Sequence, residues 1–239
     1  MQQTTDAFKR ITSGEYSSRA KAVIAEAEYS EDDLWSVKIR RNVFGGNNPS
    51  IGNCISAEID ITFNEPVGDI PRMAEIRPYS QVYNDTESDT AWLPKGIFYI
   101  DTRDTNEGKK TVSVHGYDAM LKADKPYPAS TMAWPAKDAA VLREIAADMD
   151  VVIDDRTWDI IPTAGDYSIP LPTQYTEREV LGFIAGMYGG SFVMNDFGQL
   201  QLIELNGLPE ETDLLINEAG NFITFGGTRI MLRRRNNGG

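Results

Sequence analysis

Ten consecutive residues, Cys54 to Phe63, read C-I-S-A-E-I-D-I-T-F. In an extended chain Ile55, Ala57, Ile59, Ile61 and Phe63 fall on one face, and Ser56, Glu58, Asp60 and Thr62 on the other, because successive strand side chains alternate. A helix would scatter the same apolar positions around its circumference. The run therefore predicts a strand with one buried face, long beside the usual length of about five or six residues.

Its neighbours repeat the pattern. Trp35, Val37 and Ile39 alternate with Ser36, Lys38 and Arg40, while Ala22 and Ile24 do so more loosely. Ala74 to Tyr83 reads as a strand in which Pro78, lacking an N–H, suggests an edge or a bulge. Gly96 to Thr102 and Thr111 to Gly116 flank the loop Asp104 to Lys110 and are expected to pair as a hairpin. Ahead of them, Phe8 and Ile11 are spaced for a short helix over Thr5 to Thr12. Ser17 to Lys122 is thus almost all β, and so many strands without covering helices should close as a barrel or sandwich.

The pattern changes at Lys125-Pro126-Tyr127-Pro128. Pro135 suits a first helical position, and Val141, Leu142, Ile145, Ala146 and Met149 follow at helical spacing. Asp150 to Asp154 reads as a short strand. Thr176-Glu177-Arg178-Glu179 has the form of a capping box opening a helix with Val180, Leu181, Ile184, Ala185 and Tyr188 on one face, stopped by Gly189-Gly190. A hairpin over Ser191 to Glu204 turns at Asp196-Phe197-Gly198. Residues 126–205 are expected to form a small α+β unit of two helices and three strands. Short strand-like pieces return after Leu208, at Phe222 to Phe225 and Arg229 to Leu232.

Composition narrows the chemistry. Among 239 residues, Asp and Glu outnumber Lys and Arg 36 to 23, for a formal charge of −13. That balance opposes a phosphate-gripping nucleic-acid protein and docking on anionic lipid. One cysteine, Cys54, and one histidine, His115, exclude an internal disulfide, multi-cysteine zinc sites and two-histidine zinc hydrolases. No apolar run reaches a membrane span, and Met1 to Arg10 lacks a signal-peptide core, so a soluble chain made in the cytoplasm is expected.

Each candidate site has a plainer alternative. Asp196-Phe197-Gly198 matches a kinase magnesium motif, but the glycine-rich loop, strand lysine and catalytic loop that motif requires are missing. Gly186 to Gly190 ends a helix, where a phosphate loop would start one. Asp101 to Gly108 is oxygen-rich without calcium-loop spacing. His115 and Cys54 could form a base and thiol nucleophile; the plain reading is a strand histidine and a small buried hydrophobe. Asp154-Asp155 is a turn. Arg233-Arg234-Arg235, with Arg229, is either a frayed tail or a contact with an acidic patch on a neighbouring subunit. No catalytic, cofactor-binding or metal-binding residue is assigned, and no enzyme is expected.

Three segments carry a resemblance: Ile70-Pro71-Arg72-Met73-Ala74, Trp92 to Arg103 with its G-I-F-Y-I-D core, and Val114 to Ala123 with H-G-Y-D-A-M-L-K-A. Asn53 to Ile59 and Trp134-Pro135 extend it. In these words the chain resembles the N-terminal region of tail-hub proteins of phages and prophages of Gram-positive bacteria, also labelled prophage endopeptidase tail proteins. The resemblance runs from Ala22 to Thr157 and continues by element order to Leu205.

It implies a mainly β fold: a discontinuous hub domain, 1–125 plus 206–239, built as a tail-tube-like β-barrel with the small α+β domain 126–205 inserted. It also implies a homotrimeric ring in the virion tail, with tail-tube and distal tail proteins as partners and DNA passing through unbound. The peptidase label has no matching motif here. A carbohydrate-binding β-module and, third, a cell-wall hydrolase are the alternatives.

Overall fold

The computed structural model describes residues 5–43, 50–64, 70–85, 90–106, 111–204, 212–214, 224–225, 228–229 and 231–233. It divides into two units, Met1–Ile203 and Glu204–Gly239.

A short helix α1 (Asp6–Thr12), capped by the Thr5 hydroxyl accepting from Phe8 N–H, precedes the sheet. Eight strands then follow: β1 (Ser17–Ile24), β2 (Ala27–Tyr29), β3 (Leu34–Arg40), β4 (Glu58–Phe63), β5 (Glu75–Tyr83), β6 (Leu93–Pro94), β7 (Phe98–Asn106) and β8 (Thr111–Asp118). They form one antiparallel sheet in the order β2-β1-β5-β7-β8-β4-β3, with β6 added on β5. The expected β7–β8 hairpin is present, with a register shift between Ile100 and Thr102.

The two edge strands, β2 and β3, are consecutive in the chain and separated only by residues 30–33. So short a link forces the sheet to curl until its edges approach. The Tyr29 ring of β2 accordingly meets the Phe63 ring of β4 edge-on, centroids 5.1 Å apart. Ile24, Ile59, Ile61, Phe63, Ile76, Phe98 and Ile100 are buried together on the concave face. The sheet thus covers much of its own core, and each such side chain contributes roughly 1.5–3 kcal/mol by leaving water. No ladder joins β2 to β3 among the described residues, so the barrel expected from the sequence is seen here as an open, curled sheet.

Two strand expectations need correction. The alternating run is a sheet strand only from Glu58; Ile55 is half-buried, and Cys54 makes a parallel bridge to Phe192 instead. Pro78 lies neither on an edge nor in a bulge: β5 is an interior strand. Its other neighbour changes from β7, at residues 75 and 76, to β6, at 79 and 80. Proline's missing donor falls in that break, while its carbonyl accepts from Lys95 N–H at 2.9 Å.

Beyond a 3-10 turn at Ala119–Ala123 comes the α+β half. It contains β9 (Ala136–Lys137), α2 (Asp138–Asp148), β10 (Ser168–Ile169), α3 (Glu177–Met187), β11 (Gly190–Met194) and β12 (Leu200–Glu204). Helix α2 starts three residues after Pro135, because Ala136 and Lys137 pair with β10 first. The Thr176–Glu179 capping box forms in full. The expected strand over residues 150–154 reduces to a single bridge, Ile153 to Leu200. Val141, Leu142, Ile145, Val180, Leu181, Ile184 and Phe192 make a second core, to which Cys54 belongs.

In the C-terminal unit β13 (Thr212–Leu214) pairs with β16 (Met231–Arg233), and β14 (Thr224–Phe225) with β15 (Thr228–Arg229), both antiparallel.

Candidate functional site

The sheet and the α+β half meet at a seam built from residues 50–57, the strap that leads into β4. Gly52 N–H donates to the Gly190 carbonyl at 2.7 Å, and Phe192 N–H to that of Asn53 at 2.9 Å, so the strap lies beside β11. Its other flank touches α3, where a Cβ added to Gly182 would stand 2.7 Å from the Gly52 carbonyl oxygen. Only glycine admits that approach.

Arg178, in the first turn of α3, fastens the strap. Its guanidinium donates to the Cys54 carbonyl at 2.6 Å, the Met120 carbonyl at 2.9 Å, the Ser56 hydroxyl at 3.0 Å and the Asp124 carboxylate at 2.7 Å. Asp118, 3% exposed at the end of β8, accepts from Ala57 N–H and Met120 N–H. Burial pushes its carboxyl up to about 6 against those two bonds and the nearby Arg178 and Arg41.

The β11–β12 hairpin reaches back over the sheet. Arg41 ion-pairs with Asp196 and donates to the Lys95 carbonyl, and the Asp196 carbonyl accepts from Gly96 N–H. The turn itself is organised by Asn195, whose side-chain oxygen accepts from Phe197 and Gln199 N–H. Its amide donates to Asp154, which Arg156 also holds. These donors keep the Asp154 carboxyl at about 2, Arg156 contributing most. Gly198 completes the turn at φ +73°.

Between hairpin and strap lies a cleft of about 650 Å³, walled by Val43, Ile55, Val193, Phe197 and Ile203, with Arg41, Asp118 and Arg156 among its polar groups. Both guanidinium groups already have carboxylate partners, in Asp196 and Asp154. A second hollow, of about 830 Å³, lies over α3 beside the exposed side chains of Ile51, Phe183 and Met187. Both hollows are walled by more apolar than polar surface.

The remaining sequence candidates are dispersed. His115 Nδ1 lies 2.7 Å from the Asp60 carboxylate directly across the β4–β8 ladder, and its ring packs edge-on against Tyr117. Cys54 instead packs in the α+β core, where burial pushes its thiol up to about 12. The two are not brought together as nucleophile and base. Asp101 to Asn106 are part of β7, with Asp101 ion-paired to Arg72; Glu107 and Gly108 lie outside the described residues. Asp154 caps a 3-10 turn, Asp155–Thr157. Arg229 and Arg233 fall in β15 and β16, and Arg234 and Arg235 lie outside the described residues.

Among the described residues no three His, Cys, Asp or Glu side chains are grouped to hold a metal ion, and no helix is long and apolar enough to cross a membrane. Arg178, Asp118 and Asn195 were not legible as seam residues. In sequence they are a helix charge, a strand end and a turn amide.

No family model matches the sequence, and no curated protein does. Solved structures do. The fold is similar to that of the 43 kDa tail protein of prophage MuSo2 from Shewanella oneidensis, with a TM-score of 0.54 and 13% identity over 80% of this chain and 56% of that one. The tail protein of Neisseria meningitidis MC58 aligns over 86% of this chain and 62% of its own, with a TM-score of 0.47 and 13% identity. The chain thus shares a fold with a phage tail protein and spans a little over half of the Shewanella protein's length.

Proposed function

We propose that this chain is a structural, non-enzymatic component of a phage or prophage tail: a hub protein that forms a homotrimeric ring between the tail tube and the distal tip. The observation that carries the proposal is the fold shared with the Shewanella prophage tail protein across 80% of the chain. The tail-hub words at Gly96 to Asp101 and His115 to Ala123 support the hub assignment. In this reading the strands after Leu208 complete the hub domain begun by residues 1–125, and residues 126–205 are an insertion in it. Tail-tube and distal tail proteins are the partners. A net charge of −13 suits a conduit that repels DNA phosphates during passage.

Light scattering over a range of concentrations, with electron microscopy of the same preparation, tests the proposal. The expected result is a species of three times the 26.6 kDa chain mass, seen as threefold rings, with no cleavage of peptidoglycan or peptides. A monomer at every concentration, with wall cleavage abolished by His115→Ala or Cys54→Ser, would overturn it in favour of a hydrolase.

A further inference from the structure

The residue before Arg178 is buried more deeply than Arg178 itself. Glu177, the first residue of α3, is fully buried, and no N–H or hydroxyl donor reaches either of its carboxylate oxygens; its hydrogen-bond neighbour is the Asp148 carboxylate, which it can bond only by keeping its own proton. Lys125, its nearest cation, stands 3.9 Å away and is engaged elsewhere, ion-paired with the Asp148 carboxylate and donating to the Asp148 carbonyl. Every group facing Glu177 can be named. Asp148 and Glu144 come from α2, the latter already accepting from Tyr127 and Ser130; Lys125 and Tyr127 come from the connector ahead of α2. Two carboxylates against one spoken-for ammonium is a poor setting for a third negative charge.

The location matters because the connector enters the α+β half here. Glu177 N–H donates to the Lys125 carbonyl at 3.0 Å, Tyr127 N–H to the Tyr175 carbonyl at 2.9 Å, and Pro126 bridges Thr176. These few bonds join the connector to the first turn of α3, the turn from which Arg178 grips the strap.

We propose that Glu177 is a proton-operated latch on the seam: with its carboxyl neutral, the first turn of α3 stays seated on the connector, and when the carboxyl ionises, the turn lifts and the connector pairing opens. Burial first, then Asp148, pushes the Glu177 carboxyl up to about 8. Because the folded value lies above the ordinary one, the neutral seated form is favoured at low pH. That preference is spent as pH rises through about 8. The latch requires no particular role for the protein and stands or falls apart from the tail reading.

Hydrogen exchange on the full-length protein, corrected for intrinsic rates, tests it. Protection of the Tyr127 and Glu177 amides should fall tenfold or more between pH 6 and pH 9.5, while that of Val114 in β8 stays level. In Glu177→Gln, which keeps an amide donor and cannot ionise, the fall should vanish. Unchanged seam protection in the wild type, or an equal fall in Glu177→Gln, overturns the proposal. Should Glu177→Gln not fold, Lys125→Met supplies the second test. Removing the cation should move the opening to higher pH, and an opening that stays put or moves lower overturns the latch.

Discussion

Replacing Arg178 by methionine keeps most of the side-chain length and removes the guanidinium. Two main-chain carbonyls, of Cys54 and Met120, then lose a charged donor, and Ser56 loses a partner. Hydrogen bonds to charged groups are worth about 1.5–3 kcal/mol each. Asp124, whose side chain is 61% exposed, adds under ~1 kcal/mol because water screens it. Part of the loss is returned, since a partly buried charge no longer has to be desolvated. The net expectation is about 2–4 kcal/mol, a large share of the roughly 5–15 kcal/mol of a typical domain. Urea unfolding followed by tryptophan fluorescence and far-ultraviolet circular dichroism measures it. Trp134 and Trp158 lie against the α+β core, so fluorescence should begin to change before the sheet signal does. Arg178→Lys should recover less than half the loss, because an ammonium cannot fork across so many acceptors. An Arg178→Met protein within about 0.5 kcal/mol of wild type, the scale of an ordinary surface substitution, would refute this account of the seam. So would an Asp124→Asn variant as damaged as Arg178→Met.

Other expectations follow from the same contacts. Gly182→Ala should cost about 1–3 kcal/mol by pushing the strap off α3, read as a lower urea midpoint, because the added carbon meets a backbone oxygen that cannot rotate away. The Cys54 thiol should resist iodoacetamide at pH 8 in the folded protein and react once urea exposes it; rapid labelling of native protein would contradict its burial. The Asp154 carboxyl is held at about 2, below the ordinary 3.8, so the fold favours its ionised form. Its stabilisation is complete above about pH 4 and is lost as pH falls towards 2, amounting to about 2 kcal/mol at 1.36 kcal/mol per pH unit. Urea midpoints between pH 2 and 5 should show that acid slope in the wild type and a shallower one in Asp154→Asn.

What could be read from the sequence was local. The Thr176–Glu179 cap was legible because both partners lie within one helical turn, and β3, β4 and the β7–β8 hairpin because alternation marks a half-buried strand wherever it sits. Alternation does not say which sheet a residue joins. Cys54 opens the run that becomes β4, yet it packs in the second core and bridges Phe192, while Ala57, three residues on, stays in the first core. The start of α2 was misplaced because the β9–β10 ladder, which takes Ala136 and Lys137, depends on a strand some thirty residues later. The seam was illegible for the same reason. Arg178 reaches Cys54 across 124 positions, and nothing in Glu-Arg-Glu distinguishes it from a solvated helix charge.

The strap also bears on modularity. The α+β half cannot be cut away with the sheet left intact, because residues 50–57 lead into β4 while Cys54 packs among the buried side chains of that half. Removing residues 126–203 would take away most of the core around Cys54, and Arg178 and Phe192 with it, so the lead into β4 would lose the helix and strand it lies against. Sequence drift in either half is therefore constrained by the other, and exchange of the α+β half between related chains would have to carry the strap along with it.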